Sequence, residues 1–246
     1  MREFRKVPVG RVSFDACTYN EAVDAVVSLG AEPVASIAVR LANAWCVVVA
    51  EDNAEYADVL NGPGYTFPDG APVAHAMSKI APASERVRGP SLFVDVLDQG
   101  RATGLRHFFL GATETTLEML MERVRGRLPG VAIVGHWAPP FGPIDEAFLA
   151  EARARIRDSG ATFVWVGLGT PKQDFAAAAL SRASGVPCAG VGAAFDFVAG
   201  TVREAPPWVQ RQGFEWLYRL LCEPRRLWRR YLVGNFRFLK IVGRMR

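Results

Sequence analysis

The chain has 246 residues, half of them hydrophobic, and a formal net charge of +4. That length bounds one domain, or one domain with an appendage, and the apolar content argues for a buried core and against disorder. No run approaches the roughly eighteen uninterrupted apolar residues of a spanning helix, and Val7-Pro-Val-Gly-Arg11 stands where a signal peptide keeps its apolar region, so a cytosolic protein is expected.

Residues 7–13 read as a short strand, with Asp15 placed to cap a helix running through Tyr19 to Leu29. Val34-Ala-Ser-Ile-Ala-Val39 is strand-like and leads to Leu41-Ala-Asn43. The apolar positions from Ala44 to Leu60 fit one helix, closing at Asn61-Gly62. Tyr65-Thr-Phe67 is a brief strand ending at Pro68-Asp69-Gly70, followed by a helix from Ala71 to Ile80. A loop over 81–90 carries Arg86, Arg88 and Gly89, and a helix covers Leu92 to Ala102.

From here the alternation is regular. Strand Arg106–Leu110 enters Gly111-Ala-Thr113 and a helix through Arg127. Strand Val131–Val134 enters the loop from Gly135 to Gly142, and a helix runs from Asp145 to Asp158. Strand Thr162–Val166 enters Gly167-Leu-Gly169 and a helix beginning near Pro171. Strand Val186–Val191 enters Gly192-Ala-Ala-Phe-Asp196. Apolar strands alternating with amphipathic helices predict an α/β, Rossmann-like fold: a parallel sheet flanked by helices, with right-handed crossovers.

The remainder differs in composition. Residues 201–246 hold 11 basic side chains against 3 acidic, whereas the first 200 hold 18 against 22. A catalytic body over 1–200 and a basic, aromatic-rich helical appendage over 201–246 are therefore expected. The cysteines Cys17, Cys46, Cys188 and Cys222 lie far apart and read as reduced thiols; with three scattered histidines, no zinc site is expected.

In an open parallel sheet ligands sit beyond the carboxyl ends of the strands, which points to the loops at 111–113, 135–142 and 167–173. Gly111, Gly135, Gly167 and Gly169 let backbone approach a ligand. Thr170 is placed to cap the next helix with Pro171 in its first turn, so that exposed helix N–H groups and Lys172 favour a phosphate. A tight turn explains the same glycines equally well. The stretch is neither a Walker loop nor the dinucleotide fingerprint.

Pro68-Asp69-Gly70 has the composition of a turn, but a carboxylate at a strand end also suits a general base. Asn43 reads as a helix cap or a ligand contact. Asp196, between two phenylalanines at an apolar strand end, needs backbone N–H groups or a ligand hydroxyl as partner. In the appendage Arg219, Arg225, Arg226, Arg229 and Arg230 interleave with aromatic and leucine residues. That pattern suits anionic lipid or a diphosphate; a solvated basic helix packed on the body is the plainer alternative. Nucleic acid is disfavoured by the acidic body.

The combination of Pro68-Asp69-Gly70, Glu85-Arg-Val-Arg-Gly89, Gly167-Leu-Gly-Thr-Pro-Lys-Gln173, Gly192-Ala-Ala-Phe-Asp196…Gly200 and the block from Glu215 to Tyr231 resembles the WecG/TagA/CpsF glycosyltransferases (glycosyltransferase family 26). The resemblance runs from about residue 8 to 240. It implies cofactor-free, metal-independent, inverting transfer of a sugar, usually N-acetylmannosamine or its uronic acid, from a UDP-sugar to a polyprenyl-diphosphate-linked sugar at the inner face of the cytoplasmic membrane. The products feed cell-surface polysaccharides such as teichoic acids and exopolysaccharides.

Residue by residue, the resemblance puts the proposed base on Asp69 and substrate contacts on Asn43 and Gln173; Arg88, within the Glu85–Gly89 motif, is a further candidate for substrate binding. It gives Arg219, Arg225, Arg226, Arg229 and Arg230 the roles of docking on membrane and completing the site. Two departures stand out: Leu41 replaces the family's threonine two residues before Asn43, and Ser91 replaces an aspartate after the Arg-Gly stretch. A rival on the same scaffold is an NAD-dependent epimerase or dehydrogenase, against which the missing fingerprint counts. From another class comes a non-catalytic, membrane-associated partner of a polysaccharide-assembly complex. Oligomeric state is left open, with a homo-oligomer among the alternatives.

Overall fold

The computed structural model describes residues 1–31 and 36–245. The chain opens with a hairpin of β1 (Arg5–Val9) and β2 (Val12–Ala16), not the single strand expected over 7–13. Gly10 divides the run: at φ 61° it takes the left-handed conformation that a two-residue hairpin turn asks of its first residue. Asp15 is correspondingly no helix cap. Its side chain is buried, accepting from Thr66 N and Lys6 Nζ, each at 2.8 Å. Burial raises its pKa against the pull of Lys6 and the Thr66 amide. The following helix, α1 (Tyr19–Ala31), is capped instead by Thr18 and Glu21, which exchange backbone and side-chain hydrogen bonds as a capping box.

Of the stretch expected as a strand from Val34, the first two residues lie outside the described part; the strand itself is β3 (Ala38–Ala42). The helix expected over 44–60 is two helices, α2 (Ala44–Asp52) and α3 (Ala54–Asn61). The break is local chemistry, because Asn53 Oδ1 accepts from Tyr56 N at 3.0 Å and starts a new helix. Next come β4 (Gly64–Pro68), α4 (Ala71–Ser78) and α5 (Gly89–Gln99), which begins three residues earlier than expected with Pro90 in its first turn. Then follow β5 (Arg106–Gly111), α6 (Glu114–Arg127), β6 (Ala132–Trp137), α7 (Glu146–Ser159), β7 (Phe163–Gly167), α8 (Lys172–Ser184), β8 (Cys188–Gly190) and the short α9 (Ala194–Ala199). Asp196 thus lies on a helix and not at a strand end.

Strands β3 to β8 form one sheet in the order β4-β3-β8-β7-β5-β6, every neighbouring pair parallel. The α/β, Rossmann-like arrangement follows from the two-residue period of the strands. Phe163 and Trp165 point into a core shared with α1, α5, α6 and α9, whereas Val164 and Val166 face α7 and α8. Phe93 meets Trp165 edge-on with centroids 5.0 Å apart. Each such buried aromatic contributes about 1.5–3 kcal/mol through burial. A third cluster joins the hairpin to α2, α3 and α4.

The tail is helical and seated on the body. It comprises α10 (Pro207–Arg211), α11 (Glu215–Cys222), α12 (Pro224–Trp228), a π-helical turn (Arg229–Val233) and α13 (Gly234–Gly243). Phe238 of α13 is buried in the cluster around α2. Gly234 leaves no room beneath Trp45, whose ring would stand 2.9 Å from an added Cβ. Arg237 grips Asp52 with two hydrogen bonds, at 2.7 and 2.8 Å.

Candidate active site

Strand order brings the carboxyl ends of β3, β4, β8 and β7 together, and a cavity of about 610 Å³ opens there beneath the tail. Asn43, Asp69, Arg88, Gly167, Gly169, Gln173 and Asp196 all line it, with Arg219, Arg226, Arg229 and Arg230 from the tail. Gly111, Gly135, Lys172 and Arg225 do not. The two glycines serve close packing: a Cβ on Gly111 would stand 2.4 Å from the Gly167 carbonyl oxygen, and one on Gly135 2.8 Å from the Phe108 ring. Gly135 also lies within β6 and not in a loop. Lys172 turns the other way, donating to the Gly142 carbonyl with its ammonium 5.4 Å from the Phe141 ring centre. Arg225 is exposed on α12, outside the cavity lining.

On one wall stand Asn43 and Asp69, at the ends of adjacent strands; Ala42 and Pro68 are register partners and Asp69 N donates to Ala42 O. Asn43 Oδ1 caps α2 through Trp45 N at 3.0 Å, so the cap reading holds for the oxygen while the residue also lines the cavity. Asp69 is half-buried. Its Oδ1 accepts from Gly89 N at 2.8 Å, and no donor among the described residues meets Oδ2. Leu41, at the position of the resembled family's threonine, is almost fully buried yet borders the cavity. Ser91 accepts a long 3.4 Å hydrogen bond from Arg88 Nη1.

The opposite wall is the turn after β7. Gly169, at φ 76°, has open space where a side chain would be, so its backbone is accessible. Thr170 caps nothing: Pro171 precedes the first residue of α8, and no side chain bonds the helix start. The amides of Gln173 and Asp174 are closed by the Gly169 and Pro171 carbonyls, which leaves fewer open donors at this helix end than the sequence suggests. Gln173 is 2 % exposed, and its Oε1 accepts from Gly192 N at 2.9 Å, tying the turn after β7 to the turn after β8. Asp196 Oδ1 accepts from Thr201 Oγ1 at 3.2 Å.

Behind Gln173 lies a polar cluster that the sequence reading missed. Asp174 is fully buried, accepts from Tyr56 Oη at 2.7 Å, and is pushed up to about 6 by burial. Arg40, 1 % exposed, donates to the Gly62 and Pro63 carbonyls at 3.1 Å, and burial brings it down to about 10. No signal marks Arg40, in an apolar strand, as a charge that stays inside.

The roof is cationic. Arg219 lies over the Phe197 ring at 5.3 Å and Arg230 over Tyr231 at 5.8 Å, and both Nε atoms are buried without a hydrogen-bond partner. Arg219, Arg229 and Arg230 have no ion-pair partner among the described residues, whereas Arg226 pairs with Glu223. The π-helical turn at 229–233 widens the helix where Arg229, Arg230 and Tyr231 meet the cavity. The unpartnered Nε donors of Arg219 and Arg230 are of the kind that suits an oxyanion such as a phosphate. Arg86 and Glu215 also line the cavity and were not singled out. An acid at the start of the arginine-rich block, set against a loop with two arginines, is the signal that could have found them.

Cavity, carboxylate and arginine roof suit a transfer between a phosphorylated donor and an acceptor hydroxyl. Residues 7–246 match the model of the Glycosyl transferase WecG/TagA/CpsF family. The chain is also 32% identical over 188 residues, covering 74% of this chain and 70% of the relative, to the N-acetylglucosaminyldiphosphoundecaprenol N-acetyl-beta-D-mannosaminyltransferase of Bacillus spizizenii. A match across nearly the whole length, on a parallel sheet with the motif residues gathered at one end, means that the chain belongs to the WecG/TagA/CpsF family of glycosyltransferases.

Proposed function

We propose that the protein transfers N-acetylmannosamine, with inversion and without a metal, from a UDP-sugar to a polyprenyl-diphosphate-linked sugar. The observation that carries this reading is the disposition of Asp69: one carboxylate oxygen is held by the Gly89 amide, the other has no donor among the described residues, and the residue stands in a cavity whose roof includes Arg219, Arg229 and Arg230, without ion-pair partners among those residues. The free oxygen takes the proton of the acceptor hydroxyl as it attacks the anomeric carbon. Charge then builds on the departing diphosphate, where Arg219, Arg229 and Arg230 stabilise it in place of a divalent cation. Asn43 and Gln173 orient the sugar and nucleotide beside the base. The name of the Bacillus spizizenii relative supports both the sugar moved and the lipid-diphosphate acceptor.

Membrane association fits the same reading. Among the described residues no helix is long and apolar enough to cross a membrane. Leu221, Trp228, Leu232, Phe236 and Leu239 are exposed along the arginine-rich tail, a surface suited to lie on anionic lipid at the cytoplasmic face.

The test is UDP release from a panel of UDP-sugars, with a short-chain polyprenyl-diphosphate-sugar acceptor, with and without EDTA. Acceptor-dependent, EDTA-resistant release from UDP-N-acetylmannosamine is expected. Folded protein that releases nothing from any donor would favour the non-catalytic partner, for which Leu41 in place of the family threonine is the first residue to question.

A further inference from the structure

The tail lays one carboxylate into a cavity that it otherwise roofs with cations. Glu215, at the start of α11, is largely buried, and each of its oxygens meets a different arginine: Oε2 accepts from Arg86 Nη2, and Oε1 from Arg88 Nε at 2.6 Å. Arg88 also pairs with Glu204. Burial works against the Arg88 cation, but Glu215 and Glu204 outweigh it and hold its pKa above the usual value. These two arginines are therefore already paired with carboxylates, whereas Arg219, Arg229 and Arg230 have no such partner among the described residues.

Both arginines belong to a short strap, residues 86–89, that grips the turn after β4. Arg86 Nε donates to the backbone carbonyl of Asp69 at 2.5 Å, Val87 N to Pro68 O at 2.9 Å, and Gly89 N to Asp69 Oδ1 at 2.8 Å. Val87 is fully buried. A Cβ on Gly89 would stand 3.2 Å from Leu41 Cδ1 and 3.7 Å from Asp69 Oδ1, so the strap lies directly against the carboxylate. Three grips on Pro68 and Asp69 thus depend on a strap whose two charged side chains end on one residue of the tail.

We propose that Glu215 is a positioning residue: by holding Arg86 and Arg88 it fixes the 86–89 strap, and through the strap it sets the orientation of Asp69 when the tail is seated. The coupling rests on the reading of Asp69 as the base, but the strap itself can be tested without substrate. Ionised hydrogen bonds of this type are worth enough that losing them opens the segment about tenfold or more.

The experiment is amide hydrogen exchange on the full chain, comparing wild type with Glu215→Gln, Glu215→Ala and Asp52→Asn. The last breaks the exposed Asp52–Arg237 pair, which joins tail to body away from the cavity. Exchange at Val87 and Gly89 should rise about tenfold or more in both Glu215 variants and stay unchanged in Asp52→Asn, with the amides of β7 as the internal check on folding. Unchanged exchange in Glu215→Gln, or equal acceleration in Asp52→Asn, overturns the proposal. In steady-state transfer, Glu215→Gln should lower kcat about tenfold with the donor KM within about twofold. A rise in kcat would instead make Glu215 a competitor for the ligand's anion and overturn the positioning role. A wild type that transfers nothing, with exchange altered as expected, would sink the transferase reading and leave the strap coupling standing.

Discussion

At Asp69 the Gly89 amide occupies one oxygen, so replacing the other with an amide removes charge and basicity while almost preserving shape. Asp69→Asn should therefore lower kcat by about 10² or more, with thermal unfolding and vesicle binding unchanged. UDP release alongside circular dichroism checks both halves of that expectation. Asp174 makes a different kind of prediction. Burial raises its folded pKa to about 6, so the stabilisation it gives is complete below about pH 4 and is lost as pH rises through about 6. Asp174→Asn keeps an acceptor for Tyr56 and escapes that loss. Relative to wild type the variant should gain on the order of 3 kcal/mol between pH 4 and pH 7, read from denaturant unfolding at each pH. That Asp69 and Asn43 line the cavity was legible because each sits in a short motif at a strand end, where chemistry and turn-making ask for the same residue types, and Gln173 because its motif runs from the end of β7 into α8. Asp174 and Arg40 were not, because burial of a charge depends on which distant elements close over it. Lys172 misled for a related reason: a long side chain next to a ligand turn can reach either way, and the 141–142 loop claims it.

Among the elements, capping residues decided boundaries that apolar periodicity could not. From Ala44 to Leu60 the pattern is continuous, yet Asn53 ends one helix and starts another. Asn53→Ala should cost about 1 kcal/mol in denaturant unfolding, with the cavity intact. Gly111→Ala should cost more, because φ of 122° and the Gly167 carbonyl both oppose a side chain. Its expected signature is a lowered Tm that no ligand fully restores. Strands β5 to β8 and their helices were readable because each is an apolar run punctuated by glycine. The hairpin was not, since residues 7–13 alternate across a turn that only the Gly10 φ reveals. Nor were the four helical segments of the tail, where arginine and leucine recur without a single period and the π-helical turn shifts the faces.

For the molecule as a whole, the tail has two surfaces of different character. Its inner side supplies Arg219, Arg229 and Arg230 to the cavity, and its outer side exposes Leu232 and Phe236. Changing the outer side alone, as Leu232→Glu with Phe236→Glu, should abolish binding to anionic vesicles in a sedimentation assay while leaving hydrogen exchange in β7 unchanged. Raising salt should weaken the wild-type interaction by screening the arginines, with the apolar contribution remaining.

The hairpin at the other end of the chain has a different bearing. β4 is the outermost strand of the sheet on its side, a place where a bare strand would offer its backbone to other chains, but here the hairpin packs over it and Tyr65, Thr66 and Phe67 are buried. Asp15, reaching from β2, takes the Thr66 amide, one of the backbone groups that β3 cannot pair. The carboxylate works as a stopper on the sheet's rim. Its loss would strand the buried Thr66 amide and loosen the hairpin from the rim, so that molecules stack rim to rim only as they begin to open.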